Sequence, residues 1–271
     1  MSTVTLRHRD ASRTRGSYGF RTVARMEWHK LRTVRSTWYL VAIFAASLVG
    51  LAMLAASHEN YARMSAAGRA SFDPTHDAFL GLLLGQLLVG VLGVLAITAE
   101  FSSGMSRATF AVAPRRPLVL AAKAAVLGAV TLAAGEISAF AAFFAGQAML
   151  KAPAPQATLG QPGVLRAVLM AGAYPALIAL ISLGIGAIVR HTAGAICAVV
   201  GLVFVLPLLF SLGSSIRHTA QKFLPDTMRN ALIAARPVAH LLSPGLTFGL
   251  LCAYAMIALA AGAWALARRD A

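Results

Sequence analysis

The chain alternates long stretches without a charge and short stretches dense in arginine. Five apolar runs stand out, at 38–56, 79–99, 165–189, 193–213 and 246–267. A sixth, 124–150, is long enough to cross a bilayer and carries Glu136 near its middle. About 20 apolar residues cross the hydrocarbon core as a helix. In lipid a helix satisfies its own backbone groups, which an open strand cannot do. The pattern predicts an all-α polytopic membrane protein with six transmembrane helices. An even number of crossings places both termini on one side.

Ahead of the first run, residues 20–37 show a different period. At 100° per residue, Phe20, Ala24, Leu31, Val34 and Trp38 fall within about 40° of one direction. Arg21, Arg25, His29 and Arg32 take the opposite side. This predicts an amphipathic helix in the inner interface, with arginines toward phosphates and Trp28 and Trp38 as headgroup-level anchors. Glu27 sits inside the apolar stripe, where a lone carboxylate is costly. Two partners are open to it: Lys30 one turn on, or an arginine from another cytoplasmic element. The remaining layout is a basic tail (1–19), this helix (20–37) and a six-helix membrane domain (38–271). That domain includes an inner loop at 100–117 and an outer connection at 214–243. Partly helical spacing at Met228, Leu232 and Ala235 predicts short helices at the outer interface.

Composition narrows the class. Of 271 residues 58% are hydrophobic and 12% charged, half the charge of an average soluble domain. A net charge of +15 would suggest nucleic acid in a soluble protein; here it matches anionic lipid and cytoplasmic loops, and no nucleic-acid partner is expected. With the N-terminus inside, sixteen Lys and Arg fall in inner segments and eight in outer ones. That bias predicts a multi-pass membrane protein with both termini cytoplasmic. Cys197 and Cys252 lie in apolar runs and are read as packing residues.

Candidate chemistry is sparse. The chain has no G-x-x-x-x-G-K-[ST] and no H-E-x-x-H, and its seven histidines are scattered. No catalytic residue, metal site or resident cofactor is predicted, and an enzyme is not expected. In the inner loop a carboxylate, Glu100, closes the second run; Phe101, Met105 and Phe110 give the segment an apolar side, with Arg107 exposed. Pro114 ends it, and Arg115 and Arg116 hold the topology. Such a segment can dock in a groove of a soluble partner. Gln86, Glu136, Gln147 and Tyr174 are polar residues in or near spans that can face a substrate path.

Glu27-Trp-His-Lys-Leu-Arg-Thr-Val-Arg-Ser-Thr-Trp38 resembles the N-terminal stretch of actinobacterial ABC-2-type transporter permeases, where an elbow-like helix leads into the first span. Glu100-Phe-Ser-Ser-Gly104-Met105-Ser-Arg107, running on to Pro114-Arg-Arg, is similar to that family's coupling region. Met105 departs from it, since Thr is usual there. The closing Ala-Arg268-Arg-Asp270-Ala resembles these permeases' C-termini. The resemblance implies a dimerising permease, homo- or heteromeric, that docks a separate ATP-binding subunit through a short coupling helix. ATP and Mg would be bound by that partner. Two other classes are a proton-coupled secondary transporter and a non-transporting membrane immunity or assembly protein.

Overall fold

Each apolar run forms one helix in the computed structural model, which describes residues 19–58, 61–102, 116–211, 220–236, 238 and 241–268. The elements in chain order are α1 (Phe20–Thr33), α2 (Arg35–His58), α3 (Ala66–Ser71), α4 (Pro74–Asp77) and α5 (Leu82–Ser102). They continue with α6 (Arg116–Met149), α7 (Val164–Val189), α8 (Thr192–Phe210), α9 (Pro225–Ile233) and α10 (Pro244–Arg268). Among the described residues there is no strand, and six helices (α2, α5, α6, α7, α8 and α10) are long and apolar enough to cross a membrane. The chain is therefore an all-α, multi-pass membrane protein. Ile43, Leu54, Ile137, Phe144, Leu208, Met256 and Ile257 are all more than half exposed, an apolar girdle that water would not tolerate at this extent.

The central helix is α7, which packs against α5, α6, α8, α9 and α10. Its Tyr174, Ile178 and Leu183 are among the most deeply buried large side chains. The helix α2 packs on α5 and α6. In α8 the ladder widens to a π turn at Gly201–Val205, just ahead of Pro207, whose ring nitrogen has no hydrogen to donate.

Two boundaries and one packing direction differ from the sequence pattern. The amphipathic helix ends at Thr33 instead of continuing to residue 37, because Val34 is extended (φ −80°, ψ 107°) and α2 begins at Arg35. Trp38 thus belongs to the first span, and its indole N–H donates to the Arg32 carbonyl at 3.1 Å, closing the corner. The third span starts at Arg116, with Pro117 in its first turn, where a missing N–H breaks no helical bond. Lys123, one residue ahead of the apolar run 124–150, consequently lies inside α6. In the outer connection α9 turns inward: Met228, Leu232 and Ile233 are fully buried.

Candidate functional site

Three helix ends meet in a closed ring of alternating charge. Glu27 comes from α1, where it shares the buried edge with Val23. Val23 packs against Val119 and Ala122 of α6. Lys30 lies one turn further along α1, Glu100 sits near the end of α5, and Lys123 lies two turns into α6. The Lys30 ammonium donates to Glu27 Oε1 at 2.9 Å and to Glu100 Oε1 at 3.0 Å. Lys123 donates to Glu100 Oε1 at 2.8 Å and to Glu27 Oε2. Each carboxylate meets two ammonium groups, and each ammonium meets two carboxylates.

Burial gives the ring its weight. The side chains of Glu27 and Lys123 are 3% and 5% exposed, that of Glu100 12% and that of Lys30 29%. Moving single charges to this depth would cost several kcal/mol each, and only paired, hydrogen-bonded charges persist there. Burial alone would lower the Lys30 pKa; hydrogen bonding and attraction from Glu27 and Glu100 outweigh it and hold the value above the ordinary lysine value. The Lys30 contribution is thus complete at any pH below the ordinary lysine value and fades only as pH rises past the raised one. A cavity of about 380 Å³ lies beside the ring, walled by Leu31, Val34, Leu40, Leu92 and Ala96.

Both partners open to Glu27 in the sequence have counterparts in the ring. The local Lys30 pair forms, and the inter-element partner is Lys123, a lysine instead of an arginine. Arg21, Arg25 and Arg32 are exposed on α1, and Trp28 and Trp38 are 41% and 44% exposed. Phe20 and Val34, on the apolar stripe, are also exposed in the protein alone, and the edge buried within the protein runs through Val23 and Glu27. Phe101 lies beside the ring, partly buried, with the Arg190 guanidinium 5.4 Å from its ring centre. Gly104, Met105, Arg107, Phe110 and Pro114 lie outside the described residues. Arg116 donates to the Leu266 carbonyl at 3.0 Å and Arg190 to that of Ala265 at 3.1 Å. These two arginines satisfy orphan carbonyls at the C-terminal end of α10, a role beyond topology.

The four polar residues assigned to a possible path fall in three separate places. Gln86 and Tyr174 meet in the core: the Tyr174 hydroxyl donates to Gln86 Oε1 at 2.5 Å, with the Pro225 carbonyl at 3.2 Å. Gln86 in turn donates to Asp226 Oδ1 at 3.4 Å, which also pairs with Arg229 at 3.2 Å. This chain of bonds draws α9 onto α5 and α7. Tyr174→Phe should cost about 1–3 kcal/mol, since it leaves buried acceptors unpaired, and an unfolding titration in detergent would read it. A change within error would mean that the hydroxyl does not hold α9.

Gln147 instead fastens the outer loops, donating to the Pro74 carbonyl at 3.0 Å and accepting from Ala157 N–H at 2.7 Å. Glu136 stands apart, half-buried in α6 against Gly172 of α7, with Oε2 buried and without a hydrogen-bond partner. Sequence reasoning missed Lys123 and the partnership of Glu100. The available signal was Pro117, which marks a helix start early enough to enclose Lys123. Among the described residues no three His, Cys, Asp or Glu side chains cluster as a metal site would require.

Fold and ring together define a class: a multi-pass α-helical membrane protein whose charged end locks a pre-span helix to both helices flanking segment 103–115. The chain matches no protein-family model and no curated protein.

Proposed function

We propose that the chain is the membrane-spanning permease subunit of an ATP-driven exporter, working as a homo- or heterodimer with a separate ATP-binding subunit. It would sit in the bacterial plasma membrane with both termini cytoplasmic, as the two-to-one excess of inner over outer Lys and Arg favours. One observation carries the proposal. The ring Glu27–Lys30–Glu100–Lys123 joins α1 to the end of α5 and the start of α6, so a push on segment 103–115 reaches α1 and two spans together. An energy-coupling subunit needs such a rigid lever at its docking end. Residues Gly104, Met105, Arg107, Phe110 and Pro114 would form the contact with the ATPase, next to Glu100 and Phe101. With no P-loop in this chain, phosphate chemistry falls to the partner.

The test is affinity isolation of tagged protein from its native membrane in mild detergent, assayed for ATP hydrolysis. The expected result is a co-purifying nucleotide-binding subunit with vanadate-sensitive activity that drops when Arg107 is changed to Glu. Isolation of the chain alone, with no response to ATP, overturns the proposal. One observation favours a second reading, a proton-coupled carrier: the unpartnered carboxylate oxygen of Glu136 inside a span. Under that reading Glu136→Gln abolishes proton-driven flux, and ATP has no effect.

A further inference from the structure

At the end of the bundle away from the charge ring, three connections enclose a cavity of about 690 Å³. They are the α3–α4 segment (72–75), residues 155–157 and 161–166 leading into α7, and the two ends of the α9–α10 connection (Ala235, Arg236, Pro244 and Gly245). We infer that this cavity binds an anionic amphiphile, a carboxylate or phosphate head held by Arg166 and Arg236 and an apolar body resting on Phe72, Val164 and Pro244.

The polar side of the cavity is built from Arg166, Arg236 and Thr75. Arg166 is oriented by donating Nη2 to the Ala234 carbonyl at 2.7 Å, while its buried Nη1 has no partner. Thr75 is 1% exposed, lines the same cavity, and its hydroxyl is also without a partner. Buried donors are rarely left unpaired without a reason. Gly163 begins α7 at the cavity wall with φ 83° and no side-chain cap, so the positive end of that helix adds to the field. A Cβ at Gly163 would run into the Ala235 carbonyl, which keeps this approach open only to glycine. Asp73 is the one carboxylate among the described lining residues, and both its oxygens are spent. Oδ1 accepts from Thr75 N–H at 3.0 Å and His76 N–H at 3.3 Å, and Oδ2 from Ala235 N–H at 3.1 Å. Arg166 and Arg236 thus line a cavity whose one carboxylate among the described residues is engaged by backbone N–H groups, and an anion matches the two guanidinium groups. The apolar remainder of the wall excludes a small hydrated ion as the best fit and favours a head with a hydrocarbon body. This holds whether transport is ATP-driven or proton-driven.

The protein in phosphatidylcholine nanodiscs, titrated with octyl phosphate, octanoate and octanol, tests the site through its unfolding temperature. Octyl phosphate and octanoate should raise it saturably, and octanol should not. Arg236→Gln, at an exposed side chain, should weaken the apparent affinity about tenfold, the scale of one charge-assisted hydrogen bond. Thr75→Val, nearly isosteric, should weaken it several-fold. Arg166→Gln should abolish it, but also loses the Ala234 bond, so the first two variants decide. Equal affinity in parent, Arg236→Gln and Thr75→Val, or an equal response to octanol, overturns the proposal. Repeating the titration in phosphatidylglycerol separates the sources. A lipid headgroup in the site raises the parent's unfolding temperature in that lipid, an increase lost in Arg236→Gln, and leaves octyl phosphate without further effect. A free amphiphile as the natural ligand leaves the octyl phosphate response equal in both lipids.

Discussion

Lys123→Met should destabilise the protein by about 3–5 kcal/mol, the range for removing one partner of a buried ion pair. The ring holds two positive and two negative charges, and Lys123 is its most buried cation. Without it, Glu27 and Glu100 share Lys30 alone, and one negative charge is left over at a site where Glu27 has almost no contact with water. Lys30→Met should cost less, because the Lys30 side chain is 29% exposed and water can reach the carboxylates from that side. Adding Glu27→Gln to Lys123→Met should recover a large part of the loss, since it removes the surplus charge. A double-mutant cycle on these two positions, followed by denaturant titration in detergent, separates the pair from the single losses. Equal and small effects at Lys30 and Lys123 would show that the ring carries no structural weight. Thermal unfolding alone would not distinguish the two cases.

The same residues show how much could be read beforehand. The six spans were legible because a run of about 20 apolar residues has few other fates. Glu27 was legible as a residue that needs a partner, because a carboxylate in an apolar stripe is expensive wherever the helix docks. Its partner was not legible, since Lys123 is 96 positions away and just outside the apolar run 124–150. Where α6 begins turns on Pro117, a local signal, against Lys123, which hydropathy treats as an interruption. The corner at Val34 was hidden too: the apolar period of α1 runs through it unbroken, and the bond that closes the corner, from the Trp38 indole N–H to the Arg32 carbonyl, joins a residue of the next helix to α1. The i, i+4 pair Met228 and Leu232 marked α9 as helical. Its inward docking depends on Gln86 and Tyr174, distant hydrogen-bond partners that no periodicity reveals. The chemically specific loop residues from Gly104 to Pro114 lie outside the described residues, and their role is read from the loop's apolar side and the resemblance.

Gly135→Val should cost about 3 kcal/mol, at the upper end of the usual range for overpacking, and should loosen the contact between α6 and α7. A Cβ at Gly135 would lie on top of the Gly172 carbonyl oxygen of α7, a backbone atom with no rotamer to escape into. The two helices therefore touch through their backbones, as small residues permit in membranes, where lipid supplies no hydrophobic drive and close packing must hold helices together. On the other side of the contact, a Cβ at Gly172 would meet the Glu136 carboxyl at 2.5 Å. The same Cβ would lie 2.7 Å from the Glu136 Cα, so Gly172→Ala should both displace the carboxyl and strain the helix contact, whereas Gly135→Val should separate the helices and leave Glu136 with more room. Cysteine cross-linking between α6 and α7 in a cysteine-free background reads the separation, and detergent unfolding reads the stability. Gly135→Val with parental cross-linking would mean that this backbone contact does not close in the membrane. If Gly135→Val and Gly172→Ala both destabilise the protein, the α6–α7 contact is a structural line of close backbone packing. Glu136 then sits on that line as a side chain whose surroundings change whenever the two helices move.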